Sequence, residues 1–333
     1  MQRPPKGVTI SDVAAKAGVS LSTVSRVLNG NTSVDPALAE RVRDAATELK
    51  YTASPLARSL VLGRTQTVAV VVPDLGNPTF QAILRGLSRA AAADEYHVLI
   101  ADSAESVDEE RILAVETRRR TDGLILCAPR MPDDDLRALV AGIAPVVLVN
   151  REAGDGVPSV RADYRGALGE LMAHLYDLGH RRLVYLAGVE RSVSNAARLD
   201  AIAHFRAGHP DVEVHELPCG VDFDSGAAAA SAVLASGATA VLAYNDLVAM
   251  GLLSAVQSSG CRVPADLSIV GFDGIPFAAY MTPPLTTAAV PASELGARAW
   301  SAMRATLDGA DPGEAFTLRP TVIVRGSTGP AAR

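Results

Sequence analysis

The chain of 333 residues has few cysteines and no long apolar run. Its three cysteines, Cys127, Cys219 and Cys261, are widely spaced and have no metal-ligand partners nearby, which indicates free thiols. Apolar residues make up 48% of the chain, but no stretch of them approaches the ~20 residues needed to span a bilayer. The first residues, MQRPPKG, are not followed by the apolar core of a signal peptide. We therefore expect a cytoplasmic protein with no membrane partner.

Motifs for metal, cofactor and phosphate chemistry are also missing. The six histidines show no HExxH or similar spacing, and the sequence contains neither a GxGxxG run nor a P-loop. We expect no metal, no cofactor and no catalytic residues. His180, just past a helix stop, is expected to be structural.

The net charge of −6 is unevenly distributed. Residues 1–64 contain nine Lys and Arg against five Asp and Glu, a balance of +4, so the rest of the chain carries −10. A basic head on an acidic body directs the head towards phosphate. The length predicts two or three domains.

The basic head contains the most informative stretch, VTISDVAAKAGVSLSTVSRVLNG at residues 8–30. Its pattern predicts two short helices joined by a tight turn at Gly18. Thr9, with Asp12 three residues later, and Ser20 are placed to cap the two helices. The residues expected to face the core are Ile10, Val13, Ala14 and Ala17 in the first helix, and Val24, Val27 and Leu28 in the second.

The opposite face of the second helix is expected to carry Leu21, Ser22, Thr23, Ser25, Arg26 and Asn29. Hydroxyls, an amide and an arginine suit phosphates and base edges. The alternative is an ordinary helical hairpin with a polar outer face. A third helix favours the DNA-contacting interpretation. Asp35-Pro36 is a cap followed by proline at the first helical position. The apolar stripe of this helix is Ala39, Val42, Ala46 and Leu49. Three helices in about 50 residues are typical of a helix-turn-helix head.

This head resembles the lactose-repressor (LacI/GalR) family. VTISDVAAKAGVSLSTVSRVLNG and RVRDAATELKYTASPLARSL match the family pattern almost position for position. The resemblance implies a dimer with a recognition helix in each of two successive major grooves of double-stranded operator DNA. Arg26 is expected to contact a guanine, and Leu21 and Ser22 occupy the positions that set sequence preference. The residues expected to hold phosphates are Thr9, Ser20, Thr23, Ser25 and Asn29.

Residues 51–64, YTASPLARSLVLGR, predict a helix of about two turns that is marginal alone in water. Ser54 is a cap, Pro55 is at the first helical position and Gly63 is a stop. The resemblance implies a hinge helix that pairs with its twin, with Leu60 wedged into the minor groove and Ala57 and Arg58 beside it. The alternative is a plain linker with an accidental helix.

From Val68 onwards, apolar strands alternate with amphipathic helices, which predicts parallel sheets in two lobes. The predicted strands are 68–72, 97–101, 123–127, 146–150, 183–187, 240–244 and 268–272. This body resembles the periplasmic-binding-protein-like sensor domain of the same family through runs such as VPDLGNPTF, HLYDLGHRRLVYLAG, YNDLVAMG and VGFDGIPFAAYMTPPLTT. We expect an α/β fold with a helix-turn-helix head at 1–53, a hinge at 54–64 and an effector-binding and dimerisation domain at 65–333. The family implies lobe crossings near 162, 291 and 320.

A ligand cleft is expected where strands end. Asn150, Asn245 and Asp273 end three strands, and the family pattern adds an effector-binding arginine at Arg198 and aromatics at Phe223 and Phe80. Forked donors and acceptors suit vicinal hydroxyls, and aromatic rings stack on ring faces. A sugar, polyol or nucleoside is the expected effector, although some relatives carry aspartate where this chain has Asn150.

The leading hypothesis is a ligand-responsive transcriptional regulator, typically a repressor, that binds a near-palindromic operator as a homodimer. The alternative is a sugar-binding protein or enzyme that uses the same cleft, but a transport receptor needs a secretory signal and an enzyme needs a catalytic set. A protein co-regulator in place of the small molecule is a third possibility. The chain ends without a heptad tail, which favours a dimer over a tail-held tetramer.

Overall fold

A computed structural model describes residues 8–28, 33–51, 63–154, 156–313 and 315–332. These residues form two compact units, with the boundary in the chain between Thr65 and Gln66. The first unit contains three helices, and the second contains two sheets with their covering helices.

In its described residues, the first unit contains α1 (Ile10–Ala17), α2 (Leu21–Leu28) and α3 (Pro36–Glu48). Gly18 ends α1 with a φ of 64°, a left-handed conformation that glycine adopts at little cost. The Ser20 hydroxyl accepts a hydrogen bond from the Thr23 amide at 3.2 Å, which caps α2. The Asp35 carboxylate accepts from the first amides of α3 at 3.0 and 3.1 Å. Local chemistry thus sets the helix boundaries, as predicted.

The core of the first unit is small and built from short side chains. Val13, Val24 and Val42, one from each helix, are fully buried. Alanines of α1 and α3 pack around them, while Leu28 and Leu49 are half-buried at the edge. This core leaves the opposite face of α2 uncovered.

The second unit contains twelve strands and ten helices in chain order. The strands are β1 (Thr67–Val72), β2 (His97–Asp102), β3 (Gly123–Cys127), β4 (Val146–Val149), β5 (Ser159–Ala162), β6 (Arg182–Ala187), β7 (Glu213–Pro218), β8 (Ala240–Ala243), β9 (Ser268–Asp273), β10 (Thr286–Ala289), β11 (Phe316–Leu318) and β12 (Thr321–Ile323). The helices are α4 (Pro78–Ala93), α5 (Val107–Arg118), α6 (Asp133–Ile143), α7 (Tyr164–Asp177), α8 (Val193–Gly208), α9 (Phe223–Ala228), α10 (Ala230–Ala235), α11 (Asp246–Ser258), a 3-10 helix (Pro276–Tyr280) and α12 (Ala292–Leu307). None of the helices in the described ranges combines the length and apolarity that a bilayer crossing requires.

The strands form two six-stranded sheets, one in each lobe. Lobe 1 contains the sheet ordered β11-β5-β4-β3-β1-β2, and lobe 2 contains the sheet ordered β12-β10-β9-β8-β6-β7. Every pairing is parallel except that of β10 with β12. The chain passes between the sheets after Ala162, after Ala289 and after Leu318. The carboxyl ends of the central strands are where ligands bind in such sheets.

Each sheet is covered on both faces, which explains its continuous apolar strands. In lobe 1, Val68, Val70 and Val72 of β1 share one buried cluster with α4 and α12, while Ala69 and Val71 share another with α5 and α6. Helices α4 and α12 pack closely: a Cβ on Gly86 or Gly296 would lie 2.0 Å or less from a backbone oxygen of the facing helix. In lobe 2, β6 alternates in the same way between a cluster with α7 and α8 and a cluster with α10 and α11.

The cysteines and His180 agree with their predictions. The three cysteines are free thiols, Cys127 buried and the other two half-buried. His180 is 1% exposed and joins three segments of lobe 2, since its Nδ1 lies 2.9 Å from the Thr239 hydroxyl and its Nε2 lies 3.0 Å from the Gly329 carbonyl oxygen. A carbonyl only accepts, so Nε2 carries the proton and Nδ1 accepts from Thr239 in the neutral ring.

His180→Gln is expected to destabilise the chain by about 2 kcal/mol, because two buried hydrogen bonds lose their geometry. Burial lowers the pKa of His180, against the hydrogen bond to Gly329. The unfolded chain takes up this proton near pH 6.5 and the folded chain only at lower pH, so the contribution of His180 to stability is present above pH 6.5 and decreases below it. Urea unfolding at pH 7.5 and 5.5 tests this. The difference between wild type and variant should shrink at the lower pH, and an unchanged difference would contradict a neutral buried ring.

Candidate functional site

The uncovered face of α2 is polar and carries no carboxylate. Leu21 is 51% exposed, Ser22 and Arg26 are also exposed, and Thr23 and Ser25 are half-buried. The Ser20 hydroxyl lies 2.8 Å from that of Ser22 and 2.9 Å from that of Thr23. This hydroxyl cluster at the start of α2 is suited to phosphate oxygens, because both helix N-terminus and hydroxyls donate towards the same point.

Arg26 extends this surface along α2. Its Nε donates to the Ser22 carbonyl at 3.3 Å, one turn earlier, and the side chain is otherwise exposed. A guanidinium held along a helix by one bond keeps further N–H groups for an acceptor outside the protein. Thr9 is exposed at the start of α1. The remaining predicted DNA-contacting residues, Asn29, Ala57, Arg58 and Leu60, lie outside the described residues.

The second unit contains a small cavity of about 30 Å³ at the carboxyl ends of strands from both lobes. This volume holds about one water molecule. Its lining is Asn77, Thr79, Phe80, Glu105, Ala128, Arg130, Asn150, Tyr164, Ser194, Arg198, Val221, Tyr244 and Asp273. We call this space the interlobe cavity. Phe80, Asn150, Arg198 and Asp273, which were predicted as effector-binding residues, are brought together in it.

The structure places neither Asn245 nor Phe223 in this lining. Asn245 is 1% exposed, and both ends of its amide are engaged: the oxygen accepts from Val248 at 2.8 Å and the nitrogen donates to the Val221 carbonyl at 2.8 Å. It therefore caps α11 and fixes the loop that brings Val221 to the cavity. Phe223, the first residue of α9, is 45% exposed.

Arg198 is the most unusual group in the cavity. It is 1% exposed, and its guanidinium carbon lies 4.1 Å from the ring centre of Phe272, 4.6 Å from that of Tyr244 and 4.7 Å from that of Tyr164. Among the described residues, Nε and Nη1 have no hydrogen-bond acceptor. Aromatic faces stabilise the charge but do not replace the missing acceptors. A buried, unmatched guanidinium is what a site awaiting an oxygen-rich ligand would contain.

Asp273 is the acceptor on the lobe 2 side of the cavity. Burial raises its pKa to about 6, although the charge of Arg198 and a hydrogen bond from Thr79 lower it. Burial and the charge of Asp273 also raise the pKa of nearby Asp246, which accepts from Thr287 at 2.7 Å. Asp273 is thus an anion at neutral pH that a small environmental change can protonate.

Two hydrogen bonds hold the lobes together across the cavity. The Thr79 hydroxyl of lobe 1 donates to the Asp273 carboxylate of lobe 2 at 2.9 Å. The Asn150 amide of lobe 1 donates to the Tyr164 hydroxyl of lobe 2 at 2.9 Å. Asn150 and Asp273 also have φ values of 56° and 105°, which strain their backbone. Groups predicted to bind a ligand therefore form hydrogen bonds across the cavity.

Sequence reasoning missed several lining residues. Thr79, Glu105 and Arg130 follow the carboxyl ends of β1, β2 and β3, and Tyr244 directly follows β8. The strand-end rule that identified Asn150 would have found them if it had been extended into the following loops. Ser194 is near the start of α8, and Tyr164 begins α7 just after the first passage between the sheets.

A larger cavity of about 810 Å³ adjoins the interlobe cavity and shares Asn150, Tyr164 and Ser194 with it. Its charged groups are ion-paired: Arg151 with Asp133 and Arg165 with Asp200, for example. Within the described part of the chain, no group of three His, Cys, Asp or Glu could hold a metal ion. Donors, acceptors and ring faces around one space suit reversible binding of a small polar molecule.

Two family models match the chain. Residues 9–54 match the model described as bacterial regulatory proteins, lacI family, and residues 172–328 match the periplasmic binding protein-like domain. The first match covers the helical head with its uncovered α2 face, and the second covers most of lobe 2.

Proteins that match this chain over nearly its whole length are transcriptional regulators. The chain is 34% identical over 327 residues to the HTH-type transcriptional repressor CytR of Escherichia coli K12, covering 96% of both chains. The lac repressor dimer bound to operator and the anti-inducer ONPF superimposes with a TM-score of 0.89 at 26% identity, covering 97% of this chain and 100% of that chain. A lacI-family regulator of Enterococcus faecium with bound ribose gives a TM-score of 0.70 at 27% identity, covering 80% of this chain and 100% of that chain.

Proposed function

This chain belongs to the lacI family of bacterial regulatory proteins, and from that premise we propose that it represses transcription by binding a near-palindromic operator as a homodimer, with its DNA affinity switched by a sugar-like effector. Like its relatives, it is a DNA-binding transcriptional regulator and not an enzyme. One observation carries the proposal: a polar, uncovered α2 face and a cavity with an unmatched buried arginine occur in the same chain.

Operator recognition is assigned to the α2 face. The hydroxyls of Ser20, Thr23 and Ser25 position the head on phosphates, and Arg26 reads a guanine through a bidentate hydrogen bond. Ser22, like Leu21, occupies a position that sets sequence preference. Leu21, half exposed and apolar, contacts a thymine methyl. Thr9 and Asn29 complete the phosphate contacts. A protein that binds operators acts beside the chromosome, so we place it in the cytoplasm.

A homodimer supplies a second α2 for the second half-site of the operator, as in the lac repressor dimer on its operator. Lobe 2 offers an exposed apolar patch for this contact, with Phe277 at 55% and Tyr280 at 86% exposure in the 3-10 helix. Lobe 1 adds Leu99 and Ile100 on its edge strand β2. Exposed aromatics of this size favour a protein interface.

The effector is assigned to the interlobe cavity. Arg198 presents forked donors and Asp273 acceptors for neighbouring hydroxyls, and Phe80 offers a ring face. Asn150 also lines the cavity and would bind the effector by exchanging its present bonds to the Tyr164 hydroxyl and the Ala162 amide. We divide the chain by role into a head at 1–53, a hinge at 54–64 and an effector-binding and dimerisation domain at 65–333. Effector binding shifts the lobes and thereby changes the pairing of the two hinges, for which a few kcal/mol of differential affinity is sufficient.

Leu60→Gly is expected to weaken operator binding about tenfold, because the wedge that kinks the operator centre is lost. Leu60→Met should keep most of the affinity, since its side chain is also long and apolar. Fluorescence anisotropy with a labelled operator duplex measures both. Equal affinity of wild type and Leu60→Gly would contradict the hinge assignment and leave α2 as the only contact.

A further inference from the structure

Arg130 is a buried, charged residue in the wall of the interlobe cavity. It follows β3 in lobe 1 and lines the cavity, with a side chain only 5% exposed. Its Nε and Nη2 donate to the two carboxylate oxygens of Glu105 at 2.6 and 2.9 Å. Burial lowers the pKa of Arg130, but Glu105 more than compensates. A buried ion pair contributes little net stability compared with apolar packing, so its position beside a ligand cavity indicates a function.

The Arg130 guanidinium has donors to spare. Of the five N–H groups of an arginine, two donate to Glu105 and one, on Nη1, donates to the Ala128 carbonyl at 3.1 Å. Among the described residues, one N–H on Nη1 and one on Nη2 remain without an acceptor. Two N–H groups on adjacent nitrogens of a planar fork match the two oxygens of a carboxylate.

The loop that carries Arg130 is fixed by other residues. The buried Glu110 carboxylate accepts hydrogen bonds from the amides of Arg130 and Met131, each at 3.0 Å. Arg151 donates to the carbonyls of Pro129 and Met131 at 3.3 and 2.8 Å. The loop thus has several anchors besides the Arg130 side chain, whose own bond to the loop is the one to the Ala128 carbonyl.

Arg130 and Arg198 approach the same space from different lobes. Arg198 packs on the Tyr244 and Tyr164 rings, and these two tyrosines line the cavity together with Arg130. The carboxylates of the lining do not satisfy both guanidinium groups: Glu105 is engaged with Arg130, and Asp273 accepts from Thr79. The lining thus offers more strong donors than acceptors.

We propose that Arg130 selects an effector that is a polyol carrying a carboxylate, which lies between the guanidinium groups of Arg130 and Arg198. The inference deepens the proposed function, on which it rests. The hydroxyls of the same ligand bind Asp273 and Ser194. Because the cavity holds about one water molecule, the ligand enters by displacing the Thr79–Asp273 and Asn150–Tyr164 bonds.

The test is isothermal titration calorimetry of the full chain with matched sugars and sugar acids. The pairs are D-glucose with D-glucuronate, D-galactose with D-galacturonate, and D-ribose with D-ribonate, and glucose 6-phosphate tests whether a phosphate serves instead. At least one carboxylate is expected to bind about tenfold or more tightly than its neutral partner, and Arg130→Met should weaken that binding about 100-fold while a neutral sugar changes little.

Two further variants keep the test decisive. Arg130→Met with Glu105→Met removes the ion pair without leaving a buried charge, and it should lose the same selectivity if the single variant fails to fold. Arg137→Met, a half-exposed arginine of the adjoining cavity, is the matched control and should bind like wild type.

The proposal is overturned if neutral sugars bind as tightly as their acids, if only the phosphate binds, if no carboxylate binds at about 10 mM, or if both Arg130 variants keep the acid preference. These outcomes are separable from failure of the proposed function. If a neutral sugar switches operator binding, the proposed regulatory function stands and only the proposal of a carboxylate effector is wrong. If the chain selects no operator, the proposed regulatory function is wrong whatever the calorimetry shows.

Discussion

Replacing Arg198 by methionine is expected to abolish the response of operator binding to the effector while operator binding itself survives. Arg198 is 1% exposed, and among the described residues its Nε and Nη1 have no hydrogen-bond acceptor. A ligand that satisfies it gains charge-assisted hydrogen bonds in a buried site, so their loss should weaken effector binding about 100-fold or more. Anisotropy of a labelled operator, titrated with effector, measures the response.

The same substitution is expected to stabilise the ligand-free chain by about 1 kcal/mol, since an unmatched buried charge is replaced by an apolar side chain of similar length. A structural arginine would show the reverse, with the folded state lost along with the response. Thermal unfolding separates these outcomes. Arg165→Met is the control: Arg165 lines only the adjoining cavity, and its ion pair with Asp200 is largely exposed, so both stability and response should remain near wild type.

Replacing Arg26 by methionine is expected to weaken operator binding about 100-fold or more. Each bidentate contact with a guanine is worth roughly 1–3 kcal/mol, and a dimer loses two of them. The variant should also lose its preference for guanine at the contacted position of each half-site, which a phosphate contact cannot produce. Affinities for operators with every base at that position measure this.

The control for Arg26 is Arg43→Met, an exposed arginine of α3 on the same head. It should weaken binding less and equally for all operator sequences, with a shallower salt dependence. If Arg26→Met lowers affinity uniformly across sequences, Arg26 holds a phosphate and another residue of α2 reads the base.

The interlobe hydrogen bonds set the energetic scale of the switch. Each of Thr79–Asp273 and Asn150–Tyr164 contributes roughly 1 kcal/mol net, so their loss on ligand entry costs about 2 kcal/mol. The ligand offsets this by satisfying the same groups and Arg198. Hinge pairing can follow because a small difference in lobe position changes a helix pair that is only marginally stable.

The features that local chemistry determines could be predicted from the sequence. Ser20 and Asp35 cap their helices as expected, because a side-chain oxygen three residues before a free amide has few other arrangements. The central strands with continuous apolar runs were found for a similar reason, since both of their faces are covered. Strand β2 was found through its apolar run although it is an exposed edge strand. Asp273 was placed at the site by the rule that ligands bind at strand ends, and Arg198 by the resemblance to the family.

Features that depend on tertiary context could not be predicted. Strand β7 is an exposed edge with charged residues, and β11 and β12 are three residues each, so none has an apolar run. Asn245 lies just after its strand as expected, but its amide bonds to the Val248 amide of α11 and to the Val221 carbonyl. A sequence does not show that these protein groups, and not a ligand, bind the amide. Arg130 was missed because a single arginine in a loop gives no sign of the half-buried Glu105 beside it.

The most direct test of the central claim is selection of bound duplexes from a random DNA pool by the full chain, repeated with and without sugars, sugar acids and nucleosides. We expect one near-palindromic site to be enriched, with guanine at the position facing Arg26 in each half, and its recovery to change with one class of compound. A site enriched equally under all conditions would contradict effector control. No enriched palindrome under any condition would contradict the assignment of operator binding to this chain.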